Sequence, residues 1–271
     1  MSIDEFILGN EPFIRLGFFF GILALIGLWE VVAPRRALTA SKAVRWGSNL
    51  GIVALNTVVL RLAFPVAAVG AAFLAAERGW GLFNALAWPA WLEIVVCILA
   101  LDALIYGQHV VFHKIPALWR IHRMHHVDLD FDVSTGLRFH PIEILISMGV
   151  KWVAIIVLGA PAPAVLIFEI LLNAFPMFNH ANAGLPAPVD RALRWLVVTP
   201  DMHRVHHSVI REETNSNYGF NLSWWDRLFG TYREQPAQGH TGMAIGQSDW
   251  RRPEDCVLIW GMLRVPFHEP R

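Results

Sequence analysis

Cysteine is nearly missing from this chain: its 271 residues include two, Cys97 inside an apolar run and Cys256 near the C-terminus. Neither has a partner at C-x-x-C spacing, so disulfide frameworks, iron–sulfur clusters and thiolate zinc sites lack ligands. Charge is scarce as well. Asp, Glu, Lys and Arg supply 16% of the residues against 55% hydrophobic ones, far from the balance of a water-soluble domain. The 22 basic residues match the 22 acidic ones, so no field of one sign draws in nucleic acid, and none is expected as a partner. No G-x-G-x-x-G follows a strand-like run, which argues against a built-in dinucleotide site. The opening "MSIDEFILGNEPF" sets acids before its apolar run and offers no small-residue cleavage site; a removable signal peptide is not expected.

What the chain does have is long apolar runs. A bilayer core takes about 20 residues as helix, and 13–33, 49–75 and 86–106 each suit one crossing. A further run, 142–178, is too long for one span and is interrupted by "GAPAP" at 159–163, which predicts a helical hairpin with short arms. Lys151 and Glu169 lie almost equally far from that turn, so antiparallel arms place them at similar depth, where pairing offsets the cost of a lone charge. Between the first two runs, "PRRALTASKAVR" carries Arg35, Arg36, Lys42 and Arg45, whereas the next loop has only Glu77 and Arg78. The positive-inside rule puts the first loop in the cytoplasm. Counting spans onward brings every histidine-rich stretch to that same side. The expectation is an all-α integral membrane protein of about three full spans plus the hairpin, with a cytoplasmic helical cap, in the inner or cytoplasmic membrane. One domain is expected over 1–271, with its core at about 96–235 and a tail at 236–271.

The histidines are not scattered. "HVVFH" contains His109 and His113, "IHRMHH" contains His122, His125 and His126, and "MHRVHH" contains His203, His206 and His207. Residues three or four apart share a helix face, so each group points one way. Thr199, Pro200 and Asp201 form a start signal that puts the last group on the first turns of a helix. Eight imidazoles exceed the three or four protein ligands of one zinc or iron site, so two metal ions fit the count better. Imidazole accepts iron, zinc, copper and nickel alike. A lone histidine is more often a helix-end residue; three groups at this spacing are not. Asp102 and Tyr106 extend the stripe of His109 and His113, and an acid there suits the support of a metal-bound imidazole. In "SWWDRLFGT", Ser223 and Asp226 match a capping box and Gly230 a helix end, with Trp224 and Trp225 suited to a membrane interface.

The order H-x3-H, H-x2-H-H, H-x2-H-H after several spans, with "LWRIHRMHH", "RFHPIE", "FNHAN" and "NYGFNLSWWDRLFGTY", resembles the fatty acid hydroxylase/sterol desaturase superfamily over roughly 102–232. That resemblance implies a non-haem di-iron oxygenase of the membrane, using O2 to hydroxylate or desaturate a lipid. It implies His109, His113, His122, His125, His126, His203, His206 and His207 as catalytic ligands, with His180 of "FNHAN" as a ninth. Relatives usually carry a further histidine near "FNHAN" that this chain lacks, so His140, Asn182 or water is expected to fill that position, with Asp102 as an outer support. Zinc is expected to stand in for iron in purified material. With no electron-carrying group of its own, the chain implies a separate donor of ferredoxin, rubredoxin or cytochrome type. The alternative is a membrane di-zinc metallohydrolase. It fits less well, because H-E-x-x-H is missing and the clusters hold no carboxylate. His240 and His268 sit in the polar tail without helical partners.

Overall fold

A computed structural model describes residues 3–270, leaving Met1 and Ser2 of the N-terminal stretch and Arg271 outside. Among the described residues the fold is all helical, with isolated bridges in place of strands. The long helices are α1 (Ile3–Val32), α2 (Lys42–Ala63), α3 (Ala68–Arg78), α4 (Ala90–Lys114), α5 (Pro116–His126), α6 (Pro141–Leu158) and α7 (Ala162–Asn179). Short ones follow: α8 (Ala187–Leu193), α9 (Pro200–His206), α10 (Arg211–Thr214), α11 (Trp224–Leu228), and three more in the tail. Five segments are long and apolar enough to cross a membrane: Gly9–Val32, Lys42–Ala85, Ala90–Lys114, Pro141–Leu158 and Ala162–Asn179. The chain is an integral membrane protein.

Two of the expected spans are redrawn. The run 49–75 is not one helix: α2 stops at Ala63, Phe64 turns to φ −126° and ψ 80°, and α3 starts at Ala68. Pro65 is the cause, since it has no N–H to continue the ladder and pushes the residue before it out of the α region. The run 86–106 starts later and ends later, because Pro89 delays the helix and α4 then continues unbroken through His113. The first histidine pair therefore belongs to a membrane helix. The hairpin is as expected. Gly159, at φ 63°, closes α6 in the left-handed region that glycine adopts freely.

Helix α7 packs against α1, α3 and α4, while α6 packs against α2 and α3. Within this apolar bundle Lys151 Nζ lies 2.9 Å from Glu169 Oε1 across the hairpin, and Arg15 of α1 reaches the other oxygen at 2.7 Å. The Lys151–Glu169 pair is the one the hairpin geometry demanded; Arg15 was not foreseen.

Three of the four cations of the α1–α2 region bind the histidine-bearing cap or the tail that follows it, and Lys42 acts through Glu30 of α1. Arg35 grips Asp201 and Arg36 donates to the carbonyl of Met243. Lys42 pairs with Glu30, whose other oxygen accepts from the backbone of Val133 and Asn182. Arg45 is fully buried. Its guanidinium meets Asp128 through two bonds of 2.8 Å and also binds Asp132 and Thr135. Asp130 takes the N–H groups of Thr39 and Ala40. The loop "DLDFD" thus fastens cap to bundle through each of its three acids.

Candidate metal centre

Nine histidines converge in two adjoining groups. His109, His113, His122, His126 and His206 form one; His125, His180, His203 and His207 form the other. Within each, the nitrogens on offer lie within 4.8 Å of one another. These are the nine residues expected from the sequence, His180 included. The helical logic is finer than a shared face, however. Pairs four apart, His109 with His113, His122 with His126, and His203 with His207, go to the same group, while the odd member of each H-x2-H-H, His125 or His206, crosses to the other. Each H-x2-H-H segment therefore bridges both groups.

The outer nitrogen of five rings is engaged. His109 Nδ1 lies 2.7 Å from the Tyr218 carbonyl, His206 Nδ1 2.7 Å from that of Ser216, His180 Nδ1 2.8 Å from that of Pro176, and His125 Nδ1 3.3 Å from that of Arg138. His122 Nδ1 meets Glu143 Oε1 at 2.7 Å. A carbonyl oxygen only accepts, so Nδ1 donates and carries the ring's proton, leaving Nε2 as a bare lone pair. Yet the Nε2 atoms of His109 and His206 stand 3.1 Å apart, and those of His125 and His180 3.2 Å apart. Lone pairs facing each other without a proton repel unless a cation lies between them. Metal–imidazole bonds of about 2.0–2.1 Å set neighbouring nitrogens about 3 Å apart, which is the spacing found. The donor set fits metal ions.

Burial keeps the cap imidazoles neutral, as metal binding requires. His125, His126, His203 and His207 are held far below the ordinary histidine value, first by desolvation and then by neighbouring imidazoles. His180 and His206 are lowered to about 3, again chiefly by burial.

Two of the positioning carbonyls come from residues flanking Asn217, which takes φ 50°, the sole positive value among described non-glycine residues. Its side chain fixes that conformation by donating to the carbonyls of Met202 and Arg233 and accepting from the Arg233 N–H, each at 2.8 Å. Asparagine tolerates this region better than other side chains. One left-handed residue thereby sends Ser216 to His206 and Tyr218 to His109. Asp226 holds the next stretch, taking the N–H groups of Tyr218 and Gly219 at 2.7 and 2.8 Å, and burial raises its carboxyl to about 6.

Several expected supports act elsewhere. Among the described residues Asp102 makes no hydrogen bond to an imidazole. It accepts from Leu222 N–H and Trp225 Nε1, so it steadies the loop that presents Tyr218, because Asp102 meets α11 about two turns of α4 before His109. His140 lies outside both groups: its Nδ1 accepts from Ile142 N–H, capping α6, and its Nε2 faces the Leu263 carbonyl. Asn182 exchanges hydrogen bonds with the backbone of Arg36 and tethers the α1–α2 loop. The capping box at Ser223 does not form, because Ser223 donates to the Arg194 carbonyl and Asp226 is spent on the 218–219 backbone. Thr199 does cap α9, accepting from Met202 N–H. Sequence reading passed over Glu143, although "RFHPIE" contains it and an acid on an apolar helix is a signal in itself.

From the first group a cavity of about 270 Å³ runs between α1, α2, α4, α6 and α7. His109, His122 and Glu143 line one end, Ile105, Phe112, Leu137 and Phe139 its walls, and Arg15, Lys151 and Glu169 the far part.

Fold and site together define an integral membrane protein with a doubled, all-histidine centre opening into an apolar-walled cavity. The chain belongs to the fatty acid hydroxylase family, whose profile matches residues 94–231. It is similar to ornithine lipid hydroxylase OlsE of Rhizobium tropici, 32% identical over 160 residues, covering 58% of this chain and 47% of that protein. It is also similar to alkylglycerol monooxygenase of Xenopus tropicalis, 29% identical over 64% of this chain and 38% of the relative. Cholesterol 25-hydroxylase of Mus musculus is 26% identical over 53% and 48% respectively. The chain thus spans less than half the length of each of these relatives. No solved structure matches it.

Proposed function

We propose that the protein is an O2-dependent di-iron hydroxylase or desaturase acting on an unactivated C–H bond of a membrane lipid. The observation that carries this is the pair of histidine groups with unprotonated Nε2 atoms facing one another at 3.1 to 3.2 Å. His109, His113, His122, His126 and His206 would hold one ion, and His125, His180, His203 and His207 the other. Zinc competes for such ligands in purified material. Bound iron would supply the oxidising power that such a C–H bond requires, since it offers neither an acidic proton nor a polar carbonyl. The relatives support the reading, being named as lipid hydroxylases and monooxygenases. The hydrolase alternative has no comparable support, as no carboxylate joins either ligand group.

The protein's own part is placement and exclusion. Glu143 and the carbonyls of Tyr218, Ser216, Pro176 and Arg138 lock ring orientation. Phe112, Phe139 and Leu137 seat a hydrocarbon segment beside His109 and His122 and keep water from it. Two electrons arrive from a separate donor of ferredoxin, rubredoxin or cytochrome type. The cap faces the cytoplasm in this reading, supported by the cluster of Arg35, Arg36, Lys42 and Arg45 on its side of the bundle.

The test is to load the purified protein with ferrous iron, count two ions per chain, and supply a reducing system with 18O2 and membrane lipid. The expected result is O2-dependent oxidation, as labelled hydroxyl or as a new double bond. Turnover without O2, with label entering only from H2 18O, would overturn it.

A further inference from the structure

The cavity is polar where an apolar lipid channel has no need to be. One face of α6 presents Glu143, Ser147 and Lys151 to it at successive steps of four. Glu143 touches His122. Lys151, two turns further, sits near the middle of an 18-residue spanning helix, eight residues or about 12 Å along the axis from Glu143. A lysine at that depth is costly and marks a binding path or a charge partner. Glu169 serves as partner, but to Arg15 also, while Arg15 takes Glu11 as well. Charge balances across these four groups. Hydrogen-bonding capacity does not. Among the described residues the ammonium, with three N–H donors, spends one, on Glu169 Oε1, and Arg15, its side chain 33% exposed, spends its Nη1. Both line the cavity, and Lys151 is 8% exposed. Toward the histidines the imbalance reverses: Asn56, donating from Nδ2 to the Phe139 carbonyl, leaves its buried Oδ1 unpaired, as does Glu143 its Oε2.

We propose that Lys151, backed by Arg15 and Glu169, forms a subsite for the carbonyl or carboxylate oxygen of an acyl substrate, fixing which carbon of the chain reaches the histidine end. This rests on the reading that the cavity seats the lipid. It extends that reading by naming the anchor and the ruler. The ruler is the roughly 12 Å of helix axis that separates Lys151 from Glu143 at the histidine end. Buried donors without acceptors are expensive. An acyl oxygen satisfies the donors that Glu169 leaves free, whereas a plain hydrocarbon leaves them bare.

Binding is measured without turnover, by equilibrium dialysis of full-length protein in detergent against dodecanoic acid, methyl dodecanoate and dodecane. The acid, or the acid and the ester, should bind about tenfold or more tighter than the alkane; preference for the acid alone assigns a carboxylate, and for both a carbonyl. Equal binding of all three overturns the proposal with no variant needed. In Lys151→Met/Glu169→Gln the preference should fall to within about twofold, with metal content and elution volume unchanged, and Lys151→Arg should restore it. A folded, metal-replete Lys151→Met/Glu169→Gln protein that keeps the full preference also overturns it. Selective binding by a protein that never consumes O2 would instead sink the oxygenase reading and leave the subsite standing.

Discussion

Two ionic clusters lie at either end of the path from cap to bundle, and they differ in what surrounds them. In the cap, Arg45 and Arg138 face Asp128 and Asp132, all fully buried. Thr135 and the carbonyls of Met124 and Cys256 take further guanidinium donors, while Arg138 Nε and Nη1 make no hydrogen bond, Nη1 lying 3.2 Å from Asp128 as an ion pair. Among the spans, Lys151 and Arg15 share Glu169 and keep donors aimed into a cavity. Both clusters cost desolvation. The first is packed on all sides by protein, whereas the second lines a cavity, so the first reads as scaffold and the second is where we place a bound group.

The sharpest way to break the comparison is Arg45→Met. Removing one partner from a buried network costs about 3–5 kcal/mol, and here it strands two carboxylates beside α5. Loss of folded, metal-binding protein is expected, read as a collapsed melting transition. The equivalent Lys151→Met should cost far less, because Arg15 still covers Glu169.

Next in size are the proposed ligands. Alanine at His203, His206 or His207 should abolish lipid oxidation. His206→Ala strips the five-histidine group and His203→Ala the four-histidine group, so metal analysis should find about one ion rather than two in either case. One step outward, Glu143→Gln and Asn217→Ala should each lower metal affinity or activity by about 10- to 100-fold, the usual cost of losing an outer support. Asn217→Gly should recover much of the loss, since glycine also adopts positive φ.

Acid should weaken the cap in a defined window. Unfolded imidazoles take up protons below about pH 6.5, whereas folded His180 and His206 stay neutral down to about 3. The unfolded state therefore binds more protons between those limits, and stability falls as pH falls. Protein stripped with a chelator should show its melting temperature dropping from pH 7 to pH 5, checked by circular dichroism. The smallest effect is expected at His268, which is exposed and outside both groups; His268→Ala should leave oxidation nearly intact.

How much of this was legible in the sequence follows from how local each interaction is. Apolar run length gave the hairpin and most span positions, because hydrogen bonds within a helix are local and lipid demands that they be complete. Eight of the nine clustered histidines were legible because spacings of three and four are a helix's own geometry; His180 came only with the family resemblance. The break at Pro65 was readable from local chemistry and was overridden by the length of the apolar run.

Other features have no local signature. Asp102 and Trp225 are 123 residues apart, and Arg45 meets Asp128 across 83. Asn217 looks like an ordinary polar loop residue until its neighbours' carbonyls are seen on His206 and His109. The division of nine imidazoles into five and four belongs to the same kind. Sequence determined by itself that the histidines would be clustered, helical and membrane-bound, since backbone periodicity and hydrophobic length are properties of contiguous residues. Only the tertiary structure decided which nitrogen faces which, what holds each ring, and which charged groups keep donors to spare, because those depend on distances between segments that only the packed fold brings together.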